Sequence, residues 1–166
     1  NITNDHLDRY NFKFENYVKA KLKIIENQSN KDFFLFNSHD KLLMRELKNV
    51  NINAKKIPMS ETPINYGVYL KNKNFIVKQK NKTTMINFAN FTLSGRHNLL
   101  NAMAASTIAS ILDISKDSIR ESLTHFKGAP HRMEKVLSIQ RVQYIDDSKA
   151  TNTNATFFAL DSIETP

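Results

Sequence analysis

Apolar residues in this chain recur first at helical and then at strand spacing. Within Asn16 to Asn27, the residues Tyr17, Val18, Leu22 and Ile25 share one helix face, and Phe33 to Phe36 is a short apolar run that suits a buried strand. His39 to Lys48 reads as a second helix. Ala54-Lys55-Lys56-Ile57, Tyr66 to Leu70, Asn74 to Lys78 and Thr84 to Phe88 read as short strands. The turns Lys71-Asn72-Lys73 and Lys80-Asn81-Lys82 separate the last three, which predicts an antiparallel meander. Asn98 to Leu112 forms an uncharged helix, and Ser115 is the N-cap of another that carries Ile119, Leu123 and Phe126 at i, i+4 and i+7.

Gly128-Ala129-Pro130 interrupts this pattern, because the residue before proline is pushed out of helical geometry. A domain boundary is expected there, with residues 1–129 on one side and 130–166 on the other. Beyond it, Met133 to Ile139 and Val142 to Ile145 pair as strands, Asp146 to Asn152 is a polar loop, and Ala155 to Ile163 is a helix. A strand pair and one helix are too little to bury a core of their own. Alternating helices and strands place the whole in the α/β class.

With 166 residues, 40% of them hydrophobic, the chain is long enough for a packed core. Its longest uncharged run, His97 to Leu112, is broken by Asn98, Asn101, Ser106, Thr107 and Ser110 and is too short to span a bilayer. The opening residues lack both an initiator Met and a leader pattern, so the sequence is expected to start inside a longer chain. The absence of Cys removes thiolate and disulfide chemistry and agrees with a cytoplasmic setting. A net charge of +8 attracts anions, but no block of five or six basic residues occurs and the aromatics sit in apolar patterns, which argues against nucleic acid.

Four constellations carry candidate chemistry. Asp5-His6-Leu7-Asp8-Arg9 concentrates groups that could hold a metal or a phosphate, or simply cap a turn. On a wheel of about 100° per residue, Lys21 falls in the middle of the apolar face made by Tyr17, Val18, Ala20, Leu22, Ile24 and Ile25. A lysine there is either a functional group or one that snorkels to water. Asn98 and Asn101 share a face at the positive end of an uncharged helix, where they could read an adenine edge or serve as caps. Asp146-Asp147-Ser148-Lys149-Ala150-Thr151-Asn152 joins the carboxyl end of a strand to a helix, the place where open α/β sheets bind ligands. Gly67, Gly95 and Gly128 lie too far apart to form a phosphate-cradling loop.

In order and spacing, these stretches resemble the Mur ligases. The matching residues are Asn1-Ile2-Thr3 with Asp5-His6-Leu7-Asp8-Arg9-Tyr10, Tyr17 with Ala20-Lys21, and Leu93-Ser94-Gly95-Arg96-His97-Asn98 with Asn101-Ala102. To these are added Gly128 with Pro130-His131-Arg132 and Glu134, and Asp147 to Asn152. The last run resembles the D-glutamate-adding branch; folylpolyglutamate synthases share the architecture without it. The resemblance implies the second half of a P-loop-type central ATPase domain, followed by the opening strands and helix of a Rossmann-like C-terminal domain. It implies ATP, Mg2+, UDP-N-acetylmuramoyl-L-alanine and D-glutamate as ligands of a full-length monomeric ligase of cell-wall synthesis, inactive as this piece alone. The carboxylate is phosphorylated to an acyl phosphate, which the D-glutamate amine attacks.

By the same resemblance, Lys21 and His6 are the catalytic and metal-binding residues, His6 as a magnesium ligand and Lys21 as a carbamate. Asn98, Asn101, Arg132, Asp147 and Lys149 contact ATP, and Thr151 faces the incoming D-glutamate. The family usually carries Asn where this chain has Asp146.

Overall fold

Short β-rich runs between polar turns form strands, and the register in which they pair decides which side chains meet. The computed structural model describes residues 2–3, 5–93 and 95–163. Asn1, Asn4 and Ser94, members of the motifs quoted above, lie outside the described residues, as do 164–166. Strands β1 (Phe33–Asn37), β2 (Lys55–Ser60), β3 (Gly67–Lys71), β4 (Asn74–Lys78) and β5 (Thr83–Asn87) form one sheet in that order. The first three run parallel, and β3, β4 and β5 are the expected antiparallel meander.

Pro58 sits inside β2, where its missing N–H would cost a ladder bond. Pairing of β2 with β3 begins only at Met59↔Val68, past the proline. Gly67 lies against it with φ 109°, and a Cβ there would collide with the Pro58 carbonyl oxygen. Only glycine combines that conformation with that close approach.

The period of two along each strand separates the two faces of the sheet. Phe34 and Phe36 pack with Tyr17, Val18 and Ile25 under helices α1 (Phe14–Leu22) and α2 (Lys41–Glu46). On the other face, Met59, Val68, Phe75, Val77 and Ile86 pack against Ala102 and Met103 of α3 (Arg96–Ile111) and Ile119 and Leu123 of α4 (Lys116–His125). Register makes this second core continuous, because Val68 pairs with Val77 and Phe75 with Ile86. Asp40 caps α2 by accepting from Leu43 N (2.9 Å), and Ser115 caps α4 by accepting from Ser118 N (3.1 Å).

Two sequence expectations need correction. The wheel at Lys21 assumed one regular helix through Ile25, but α1 ends at Leu22 and a 3₁₀ turn, Lys23–Ile25, follows. The tighter turn buries Ile25 while Ile24 stays 69% exposed. Lys21 itself is exposed rather than set into an apolar face. Phe126 is the C-cap of α4 in extended conformation and 54% exposed, so only Ile119 and Leu123 of that triplet reach the core.

The chain then forms a separate antiparallel hairpin, β6 (Glu134–Ile139) and β7 (Val142–Asp146), and a helix α5 (Thr153–Asp161). All six residues of β6 are exposed. Asp146, expected at the start of a loop, is the last residue of β7. Among the described residues no helix is long and apolar enough to cross a membrane.

Candidate active site

Three segments distant in sequence carry the candidate groups: the stretch before α1, the start of α3, and the loop from β7 to α5. The first is anchored at Ile2, whose N–H donates to the Asp40 carboxylate (2.8 Å). His6 follows with φ 49°, a left-handed conformation that turns the chain into the 3₁₀ helix Leu7–Tyr10. Asp5 Oδ1 accepts from His6 N (3.0 Å), and Asp5 Oδ2 lies 3.6 Å from His6 Nε2. The ring of Tyr10 meets Tyr17 edge-on at 5.2 Å, and Lys21 places its ammonium 5.4 Å from the Tyr17 centroid. Lys21 and Tyr17 are one helical turn apart, which explains why that ring is within reach. The His6 and Lys21 segments are thus joined through two tyrosines.

The loop after β7 is held by its own carboxylates. Asp147 Oδ1 accepts from Met133 N (3.1 Å), Lys149 N donates to His131 O (3.1 Å), and Ala150 N donates to Asp147 O (2.9 Å). Asp146 accepts from Ser148 N (2.9 Å) and from His131 Nδ1 (2.7 Å). These bonds hold the Asp146 carboxyl down at about 2, the His131 bond contributing most and the Ser148 bonds next. A carboxylate only accepts, so His131 Nδ1 carries the proton. Arg132 and Lys149 are exposed, Thr151 is exposed, and Asp147 is half-buried. Asn152 caps α5 by accepting from Ala155 N (2.9 Å), and its Nδ2 donates to Asp5 Oδ2 at 3.3 Å. That last bond joins the loop to the carboxylate beside His6 across 147 positions.

The start of α3 approaches the same helix. Gly95, with φ 92°, is its N-cap, and a Cβ there would meet Ser162 Cβ at 3.2 Å. The His97 ring lies 6.3 Å from that of Phe158. Asn98 is half-buried and Asn101 exposed on this terminal stretch. Arg96 makes a two-pronged bond to Glu61 just beyond β2, through Nε to Oε2 (2.9 Å) and Nη2 to Oε1 (2.5 Å). Each partner favours the other's charged form, lowering the Glu61 carboxyl and raising the Arg96 guanidinium. Neither residue of this pair was singled out as a contact in the sequence. Only the occurrence of Arg96 beside Gly95 hinted at it.

Magnesium takes mainly oxygen ligands. His6 supplies an exposed imidazole nitrogen and its neighbour Asp5 a carboxylate, while Lys21 as an ammonium would repel a cation. The donor set therefore fits part of a magnesium shell, and phosphate oxygens and water would have to complete it. Among the described residues, the metal-ligating side chains that converge are different ones, His131, Glu134 and Asp146.

The model of the Mur ligase middle domain matches residues 1–109. The chain belongs to the Mur ligase family. It is 47% identical over 165 residues to the UDP-N-acetylmuramoylalanine--D-glutamate ligase of Christiangramia forsetii, covering 99% of this chain and 37% of the relative. Enzymes of the same name from Porphyromonas gingivalis and Clostridioides difficile are each 40% identical, with 99% and 100% of this chain covered and 37% and 36% of theirs. The chain thus spans little more than a third of the length of these relatives. Among solved structures, MurF from Acinetobacter baumannii superposes with a TM-score of 0.74 at 20% identity over 98% of this chain and 35% of its own. MurF ligase from Thermotoga maritima in complex with ADP gives 0.68 at 15% identity over 98% and 37%. At such identities the superpositions establish the fold, a mixed α/β sheet with flanking helices.

Proposed function

We propose that this chain is the part of a D-glutamate-adding Mur ligase that joins the ATP-binding domain to the domain closing over it. Residues 1–129 would complete the central domain, since Ile119 and Leu123 of α4 share its core. Residues 130–166 would open the C-terminal one. The observation that carries this reading is the Asn152 to Asp5 bond, which brings the loop Asp146 to Asn152 beside His6. In the full-length enzyme, ATP would phosphorylate the carboxylate of UDP-N-acetylmuramoyl-L-alanine. The D-glutamate amine would then displace phosphate from the acyl carbon to leave an amide, ADP and phosphate, a step of peptidoglycan synthesis in the cytoplasm.

Asn98, Asn101, Arg132, Asp147 and Lys149 would hold ATP, and Thr151 would face D-glutamate. His6 and a carbamate on Lys21 would hold Mg2+, which when bound neutralises phosphate charge. The exposure of Lys21 leaves its amine open to carbon dioxide, and the adduct would replace a repelled cation with an attracting pair of oxygens. No Gly-rich phosphate loop occurs in these residues, so the isolated chain is expected to turn over no ATP.

The test is ligation by the full-length enzyme. Lys21→Ala and Lys21→Arg should both abolish it, and formate should partly restore the Ala variant while leaving the Arg variant, whose side chain fills the site, inactive. Near-normal activity of Lys21→Arg would overturn the carbamate assignment.

A further inference from the structure

The open end of the β6–β7 hairpin places two carboxylates face to face. Glu134 and Asp146 are direct cross-strand partners in the antiparallel register, and like charges in that position repel. Chain pairing alone gives no reason for the arrangement. His131, three residues before Glu134, folds back over the same spot with φ 63°, and its Nδ1 lies 2.7 Å from Asp146 Oδ2. One donor atom from each of the three side chains falls within 4.8 Å of the others. We propose that His131, Glu134 and Asp146 form a site for a divalent transition ion of the zinc class, separate from the magnesium position at His6.

The chemistry of the three ligands selects the ion. One imidazole nitrogen with two carboxylate oxygens suits Zn2+, Co2+ or Mn2+, whereas Mg2+ and Ca2+ prefer oxygens throughout. Tetrahedral bonds of about 2.0 to 2.2 Å set neighbouring ligand atoms a little over 3 Å apart. The present spread therefore needs Glu134 to close slightly and the His131–Asp146 contact to open slightly. The ion would take the place of the proton on His131 Nδ1, the ring changing tautomer so that Nε2 carries the proton. Both carboxylates are already oriented by main-chain N–H groups, Glu134 Oε2 by His131 N (2.8 Å) and Asp146 Oδ1 by Ser148 N (2.9 Å). Ligating carboxylates are held in this way. Arg132 and Asp147 are the immediate neighbours of two of the ligands, so an occupied site would fix the stretch 131–134 against the loop 146–149.

Zn2+ titration of the chelator-treated full-length enzyme, followed by calorimetry with Mg2+ in excess and no nucleotide, tests this directly. One ion per chain should bind despite the Mg2+. His131→Ala, Glu134→Gln and Asp146→Asn should each weaken it by at least about tenfold, while His125→Ala, an exposed histidine elsewhere, should not. Asp146→Asn keeps the shape of the loop, and a circular dichroism spectrum shows that each variant is folded. Co2+ in place of Zn2+ should give visible absorption that the three variants lose. Absence of uptake by the wild type, or equal weakening by His125→Ala, would overturn the proposal. It does not depend on ATP or D-glutamate binding, so failure of the ligase reading would leave it standing.

Discussion

The five-stranded body and the C-terminal hairpin are both built from short strands rich in apolar residues, yet they hold their side chains by different forces. In the body, Val68, Phe75 and Ile86 are completely buried between β3, β4, β5 and the helices α3 and α4. In the hairpin, Val136, Ile139 and Val142 are each more than half exposed. A two-stranded ribbon has no second layer of its own to pack against and is marginal alone. What orders the junction instead is a set of hydrogen bonds to carboxylates: Asp147 to Met133 N, Asp146 to His131 and Ser148, and Asp5 to Asn152. Packing places the helices carrying Lys21 and Asn101, whereas polar contacts place the loop carrying Lys149 and Thr151.

The largest effect that could break this contrast is on stability. Phe75→Ala should cost the isolated chain about 3 to 5 kcal/mol, the usual range for an aromatic removed from a packed core. Val136→Ala should stay within about 0.5 kcal/mol. Urea unfolding of both variants measures the difference, and similar losses would show that the hairpin is packed after all.

The same division explains what the sequence made legible. The meander, the cap Ser115 and the hairpin follow from turn residues and period-two patterns, which are local. Ile24 was misplaced because a wheel assumes one helical period and the chain tightens to 3₁₀ after Leu22, whereas Lys21, still inside α1, is the lysine that reaches water. The pairing of Arg96 with Glu61 and the facing of Glu134 and Asp146 depend on strand register and on contacts between separate elements. No spacing rule reports such contacts. The motif residues themselves were readable, but the Asp5–Asn152 bond that draws two motifs together was not.

In the full-length enzyme, a smaller effect separates the two ways of placing the proposed nucleotide contacts. Asn101→Ala, on the packed helix, and Arg132→Ala, on the polar junction, should each raise the apparent KM for ATP about five- to hundredfold. That corresponds to about 1 to 3 kcal/mol for one lost hydrogen bond. The KM for D-glutamate should move much less. Steady-state kinetics with each substrate varied in turn decides it, and an effect confined to D-glutamate would remove both residues from the ATP site.

Smaller again is the contribution of Asn152, which both caps α5 and reaches Asp5. Asn152→Ala should loosen the first turn of α5 by about 1 kcal/mol, the usual value of a lost N-cap. Asp5→Ala removes the bridge, along with the Asp5 contacts to His6, but not the cap, and should leave that turn protected. Hydrogen exchange at the Ala155 amide distinguishes them, and equal loss of protection in both variants would mean that the bridge, not the cap, holds the helix.

The smallest effect is also the most local, and it concerns the charge of Asp146. Its carboxyl is held down from the usual 3.8 to about 2 by the His131 bond and then by the Ser148 bonds. A group whose pKa is lower folded than unfolded stabilises the folded state at pH above the unfolded value, and that contribution disappears as pH falls through the folded one. The junction should therefore be held fully above about pH 4 and released between there and about pH 2. Exposure of the loop to water and salt keeps the effect modest. Carboxyl carbon NMR of the metal-free chain should show Asp146 titrating near 2, and Asp146→Asn should abolish that acid-dependent step while leaving the Phe75 core untouched. A midpoint near 4 would mean that the His131 and Ser148 bonds do not persist in solution, and the loop would then lose the restraint that distinguishes it from an ordinary surface turn.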